Sequence, residues 1–598
     1  MRNSKYLQIL GICTLFSVTA CSSKLEIPEP PVYNKVRNIS VDLNQEIQTI
    51  DGFGASDAWR CQMVGKYWPE EKRNQIADWL FSQEVDENGN PKGIGLSMWR
   101  FYIGAGSTEQ GLDSDIADEW RRSECFLSAD GTYNWNKYEG QRWFLKAARD
   151  RGVERFLAFN LSAPVHMSIN GKGFSIKEKR MNIKAGMMPD YADFLVECID
   201  NLQKKEGVKF DYLSPVNEPQ WDWSKGSQEG TPATNEEISQ FVKLLSERLS
   251  KRGLATKIAL GEAGSIQYLY KNVDNENFDN QIDDFWNPSS PLSIASLPNV
   301  ERVMTGHSYW TVWPVKDLVS HRKALNDKIK EHSGLKYWQT EYSILESPGE
   351  SEIPNGNGNK RDLGMQTALF VARTIHNDLT LVNASSWSWW TALTRADYKD
   401  GLVYLDDGTN NGSQVTDYCK KDGFARDSKL MWMLGNYSFF VRPGMKRVAV
   451  ITENPDPEKE GKDVMISAYK DGSSKKIVLV GIWNFKLDPL NISIPVKGSN
   501  FVSRFPEEIT LPGSTDQAGK GFKTQDMSSL RLTRMFEYSG AAWYEKENIF
   551  IPESWKDQQL FLFLERVHWE SQVWVNGKFV GKEESLSTPH LYDITSYV

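Results

Sequence analysis

The sequence has little with which to hold a metal or a nucleic acid. Its six cysteines, at positions 13, 21, 61, 125, 198 and 419, form neither a CxxC pair nor a Cys/His ligand pattern. The seven histidines are scattered, and none shows HExxH-type spacing. Neither a metal site nor a cofactor is expected. Positive charge is short as well. Lys and Arg number 70 against 79 Asp and Glu, a net charge of −9 that offers no basic surface to a phosphate backbone. A nucleic-acid partner is therefore excluded. The apolar run near the N-terminus, Tyr6–Ala20, is shorter than the ~20 residues that cross a bilayer.

What that run has instead is the flanks of an export signal. Arg2 and Lys5 precede it, and it ends in Val18-Thr19-Ala20-Cys21, which resembles a bacterial lipobox. The resemblance implies cleavage before Cys21, acylation of that residue and a tether to a membrane face; a plain secretory signal is the alternative. Residues 1–20 then read as signal peptide and 21–35 as an extended linker, with Pro28, Pro30 and Pro31.

At 598 residues the remainder is too long for a single core. A strand over 36–50 leads into Asp51-Gly52-Phe53-Gly54. From there short apolar runs alternate with longer helical patterns, the rhythm of parallel βα units. The spacing predicts strands at 52–56, 95–101, 155–160, 212–216, 257–261, 302–307, 337–341 and 384–389. Helical stretches lie between them at 70–82, 141–151, 191–204, 235–252 and 317–332. Eight such units fit an α/β fold, a (β/α)8 TIM barrel over 51–442 with its site at the C-terminal ends of the strands. A doubly wound sheet shares the same rhythm. Beyond Lys429–Gly444 the helices stop. Residues 443–498 read as a small attached β-sandwich into which the 36–50 strand can pair. Residues 499–598 read as an incomplete, jelly-roll-like β-sandwich with a hairpin at Asn576-Gly577.

Two glutamates stand where apolar runs meet polar loops: Glu218 in FDYLSPVNEPQW and Glu341 in KYWQTEYSIL. Cleavage of a glycosidic bond needs two such carboxylates flanking it, roughly 5–5.5 Å apart when one attacks the anomeric carbon and the other protonates the leaving oxygen. Asn217 is placed to bond a sugar 2-hydroxyl, and Pro219 biases Glu218 toward an extended backbone. His307 and Tyr309, in GHSYW, fall after the sixth strand. A Tyr hydroxyl there can hold Glu341 ionised, and Arg100 can add positive charge to it. Asp57 is a candidate for chelating sugar hydroxyls, against a reading as a helix cap. Among the 22 tryptophans, Trp387, Trp389 and Trp390 are candidates for the floor of the site.

In order along the chain, DGFGASDAW, SAPVHMSING, SPVNEPQWDW, GHSYW, QTEYS and MLGNYSFFVRPG resemble glycoside hydrolase family 30. The resemblance implies a (β/α)8 barrel with an attached β-sandwich and metal-free hydrolysis with retention. It also implies Glu218 as acid/base, Glu341 as nucleophile, and Asp57, Arg100, Asn217, His307, Tyr309 and Trp387 as the supporting shell around a polysaccharide or oligosaccharide. PVNEPQWDW with the following Ser227–Thr231 looks like the endo-β-1,6-galactanase branch. In SAPVHM, His166 departs from the aromatic that many members carry. The tail motifs LPGSTDQAGKG, AWYEKENIFIPESW, LERVHWESQVWVNGKFVG and STPHLYDIT resemble the first part of the sugar-binding domain of family 2 glycosidases. No binding activity is assigned to that partial domain. The expectation is a lipid-anchored β-1,6-galactanase. The rivals are a β-1,6-glucanase or exo-β-glycosidase of the same family and, in another class, a non-catalytic glycan-binding lipoprotein.

Overall fold

The computed structural model describes residues 39–480, except 88–89, 346–357, 409–416, 453–455, 461–464 and 473–475, and several separate segments between 483 and 598. Cys21 and the proposed signal and linker lie outside the described residues, as do residues 489–498 of the expected sandwich.

Eight parallel strands form the centre: β2 (Gly52–Ser56), β3 (Met98–Ile103), β4 (Arg155–Asn160), β5 (Tyr212–Ser214), β6 (Lys257–Ala263), β7 (Val300–His307), β8 (Lys336–Glu341) and β9 (Ser386–Thr394), preceded by β1 (Ile39–Thr49). Each pairs with its sequence neighbour, and Ser386 at the start of β9 sits opposite both Trp338 of β8 and Gly52 of β2. That double pairing closes the sheet and decides for a TIM barrel over the doubly wound alternative. The helices fall where the 3.6-residue pattern puts them, for example Glu70–Phe81, Asn235–Arg252 and Val315–Lys330. The second of these shows why its ends are so legible. A Thr234/Glu237 capping box starts it, and Gly253, in the left-handed region at φ 71°, ends it.

The strands are nearly continuous in apolar residues because both their faces are buried. Inward-facing Met98, Leu157, Phe159, Ala259, Val303 and Trp338 fill the barrel lumen. The outward faces join the helices in a second, larger core. The packed lumen shuts the bottom, so chemistry is left to the C-terminal rim.

Two features lie outside the barrel proper. β9 runs on past the rim, where Thr391–Thr394 pairs with β10 (Gly401–Asp406), which in turn pairs with β11 (Phe424–Asp427). The chain then forms an antiparallel sheet in the order β1, β12 (Lys446–Thr452), β13 (Ser467–Lys470), β14 (Ile477–Val480). In it Ile39 lies opposite Thr452 and Thr49 opposite Lys446. Farther on, Trp483–Asp488 pairs with Glu507–Ile509 and Ala541–Glu545. The hairpin Trp569–Ser585 turns at Asn576-Gly577, both with positive φ (51° and 74°) as a tight two-residue turn requires.

Candidate active site

At the C-terminal rim, β3, β6, β7 and β8 and the loop after β5 bring three carboxylates around one imidazole. His307, ending β7, bonds Glu218 Oε1 through Nδ1 (2.9 Å) and Glu262 Oε2 through Nε2 (2.8 Å). Glu341, ending β8, accepts from the Tyr309 hydroxyl at 3.1 Å and from Arg100 Nη1 at 3.5 Å. Oxygens of Glu218 and Glu341 and a nitrogen of His307 all lie within 4.8 Å of one another. That separation matches the paired carboxyls of retaining glycosidases and is too small for the water that an inverting pair must admit.

Local geometry breaks the strand pattern at this rim. The β7–β8 register shifts so that His307 lies opposite Glu341. Thr340 gives its hydroxyl to Glu262 (2.9 Å) while the adjacent Glu341 meets Arg100, so two consecutive residues serve the same cluster. Bulges of this kind re-aim side chains next to active sites. Glu218 is not extended, contrary to the bias expected from Pro219. Its φ is +43°, and Glu262 has φ +44°. The Glu218 N–H bonds the Glu262 carbonyl (2.7 Å), so the two left-handed residues fasten the β5 loop to the end of β6. Such backbone costs about 1–3 kcal/mol per residue, and here the hydrogen-bond cluster offsets it.

Glu262 has no counterpart in the sequence reading, although LGEAG ends a predicted strand much as the two recognised glutamates do. It is fully buried and also accepts from Arg100 Nη2 (3.3 Å) and Ser214 Oγ (3.1 Å). Burial opposes its charge, yet Arg100, His307 and Thr340 hold the carboxyl down at about 2. Burial alone would discharge His307; the carboxylates of Glu341, Glu218 and Glu262 push it up to about 10, so it is an imidazolium at neutral pH. Burial pushes Glu341 up to about 7 against the pull of His307 and Arg100 and with the push of Glu218 and Glu262. Three carboxyls thus face two cations, and burial together with this excess of negative charge favours the protonated form of Glu341. The trio Glu218, His307 and Glu341 is spaced as metal ligands would be. His307, however, donates from both ring nitrogens and keeps no lone pair for a cation.

The remaining candidates lie around this cluster. Asn217 is buried, with Oδ1 lacking a hydrogen-bond partner among the described residues. Arg100 is fully buried beneath the glutamates and acts on them rather than at a surface. Asp57 accepts from the Tyr102 N–H (2.8 Å) and donates its own N–H to the Arg100 carbonyl (3.0 Å), closing the β2–β3 rim. Burial pushes its carboxyl up to about 8. Trp387 is fully buried, with its indole N–H on Asp378 (2.9 Å) and its ring stacked on Trp389. Among the described residues, neither Asp57 nor Trp387 joins the hydrogen bonds around Glu218 and Glu341. Glu229, unremarked as an individual residue in the sequence, is fully buried. It accepts from Tyr102, the Ala105 N–H (2.8 Å) and the Ser107 N–H and hydroxyl (3.1 and 2.5 Å). It pins the loop after β5 to the loop after β3.

A closed (β/α)8 barrel carrying two carboxyls at this distance on its rim is the architecture of a retaining O-glycosyl hydrolase. The chain belongs to glycoside hydrolase family 30: the family described as "O-Glycosyl hydrolase family 30" matches residues 36–404. Residues 477–598 match "Glycosyl hydrolases family 2, sugar binding domain". Among solved structures, a conserved exported protein from Bacteroides fragilis is 36% identical, with TM-score 0.70, over 74% of this chain and 89% of that one. The xylanase C catalytic domain from Talaromyces cellulolyticus (21% identical, TM-score 0.51) covers 75% of this chain and 87% of its own. An endo-β-1,6-glucanase (19%, TM-score 0.53) covers 74% and 86%. At these identities the last two share the fold. The curated relatives match over short stretches. A β-galactosidase of Priestia megaterium is 46% identical over 50 residues, which are 8% of this chain and 5% of that protein. A β-glucuronidase of Paenibacillus borealis is 29% identical over 134 residues, 22% of this chain and 19% of that protein.

Proposed function

We propose that the chain hydrolyses β-1,6-linked galactan by double displacement, with Glu341 as nucleophile and Glu218 as acid/base. The observation that carries the assignment is the asymmetry of the pair. Glu341 is 4% exposed and receives Tyr309 and Arg100, donors that favour and aim an attacking carboxylate. Glu218 receives His307 and keeps a more open side chain, as a group that exchanges protons with a leaving oxygen and then with water should. In the first step Glu341 attacks the anomeric carbon while Glu218 protonates the departing oxygen. In the second, Glu218 takes a proton from water, which attacks the same carbon and releases Glu341. Asn217, whose Oδ1 lacks a partner among the described residues, is suited to the sugar 2-hydroxyl, a contact that tightens in the transition state.

The sugar is argued from PVNEPQWDW and Ser227–Thr231, which resemble the endo-β-1,6-galactanase branch. Product analysis on debranched β-1,6-galactan, with β-1,6-glucan alongside, tests it. Short galacto-oligosaccharides throughout the digest are expected. Monosaccharide alone would mean exo action, and cleavage of glucan alone would reassign the sugar. Export and anchoring through Cys21 are part of the proposal. They rest on the lipobox-like sequence, with the exported B. fragilis relative in support.

The raised Glu341 carboxyl sets the pH dependence. Burial, with the push of Glu218 and Glu262, holds a proton on it up to about 7, and a protonated carboxyl cannot attack the anomeric carbon. The kcat/KM profile is therefore expected to fall on its acid side near pH 7. Glu262→Gln removes a negative charge that helps hold that proton, so the acid limb should move down by about one pH unit. A lower rate with an unmoved limb would make Glu262 a purely structural residue.

A further inference from the structure

Among the described residues two tryptophans are exposed, and they lie against each other. Trp221 (47% exposed) and Trp310 (43%) stack with ring centroids 5.9 Å apart and planes 11° from parallel. Their backbones are tied to the two sides of the catalytic cluster. Trp221 closes a turn with its N–H on the Glu218 carbonyl (3.0 Å), and the same carbonyl accepts the Trp223 indole N–H (3.1 Å). Trp310 follows Tyr309, the partner of Glu341, and sits at φ +58°, an uncommon conformation for a bulky side chain.

An apolar pair of this size left in water, with Trp310 on strained backbone, belongs to none of the hydrophobic clusters of the fold. Stacking makes the two rings one preformed platform and removes side-chain freedom that a lone exposed Trp would lose on binding. We infer that Trp221 and Trp310 form an aglycone-side subsite, the platform on which the sugar following the scissile bond rests. This deepens the reading of Glu218 and Glu341 as a glycosidase pair and rests on it. The residue that protonates the leaving oxygen flanks the leaving group, and Trp221 is three residues from it. The glycone must sit deeper, over the nearly buried Glu341. The ligand is a pyranose presenting a C–H face. A β-galactopyranose offers one, because its axial 4-hydroxyl gathers the C3, C4 and C5 hydrogens on the opposite face.

The test compares wild type, Trp221→Ala, Trp310→Ala and the matching Phe variants, full-length, on a β-galactosyl fluoride that retains its configuration and on β-1,6-galactan. The fluoride carries no group beyond the scissile bond that could rest on the rings. Each Ala variant is expected to lose about five- to ten-fold more kcat/KM on the polymer than on the fluoride, through KM, the size of one aromatic contact. Phe should restore part of it. Equal losses on both substrates, or none on either, overturn the subsite. If the wild type cleaves β-1,6-glucan and not galactan, the same ratio is read there with the β-glucosyl fluoride, so the sugar assignment fails without deciding the platform. Cleavage of neither polymer overturns both.

Discussion

Glu341→Ala is expected to lower kcat on every β-linked substrate by on the order of 10⁵-fold, the scale seen when a nucleophile is removed. Substrate affinity should be nearly unchanged, because the side chain is almost entirely buried and Arg100, His307 and Tyr309 remain around the space it leaves. Azide can occupy that space and attack the anomeric carbon from the face Glu341 used. The rescued product should then be the α-glycosyl azide. Measured kcat within ten-fold of wild type would remove Glu341 from the mechanism. So would a β-azide, which would place the nucleophile's role on Glu218.

Glu218→Ala should divide substrates by leaving group. General acid assistance contributes about 10²–10⁴-fold, and it matters most when the departing oxygen is a poor leaving group. Hydrolysis of the polymer should fall by about 10³-fold or more. An activated aryl glycoside forms the glycosyl-enzyme without help and should lose far less in that step. Loss of the base then slows release, so a burst of phenol and accumulation of the intermediate are expected in rapid-mixing experiments. Azide should intercept the intermediate as the β-glycosyl azide. Equal losses on both substrate types would mean that Glu218 is not the acid. His307 makes this variant informative in a second way. With Glu218 gone, its Nδ1 loses a 2.9 Å partner while Glu262 keeps Nε2 in place, so the ring should hold its position and Glu341 its environment.

Much of this was legible beforehand because period and punctuation carry it. The eight strand runs, the capping box at Thr234/Glu237 and the Asn576-Gly577 hairpin turn are local features whose physics lies within a few residues of chain. Glu218 and Glu341 stood out as candidates for the same reason, each ending an apolar run in a polar motif. Glu262 ends LGEAG in the same manner, and nothing local ranks it with the other two. Its importance comes from Arg100, Ser214, His307 and Thr340, which reach it from four other strands. The tryptophans divide in the same way. Trp387, Trp389 and Trp390 stand at a strand end, as a sugar floor would, yet β9 continues past the rim and all three are buried. The exposed pair is Trp221 and Trp310, 89 residues apart in sequence and brought face to face by adjoining rim loops.

The sequence by itself determined the alternation of strands and helices, since hydrophobic period, capping and turn chemistry act over short spans of chain; the resemblance of its motifs pointed to the family and offered the two glutamates as candidates. Tertiary structure alone decided that the sheet closes, that Glu218 takes a left-handed backbone despite Pro219, that a third carboxylate holds His307 charged, and which aromatic faces meet solvent. Those outcomes depend on register shifts and hydrogen bonds between strands distant in sequence, and on the energy of charges brought together away from water. No stretch of the chain contains either until the barrel has formed.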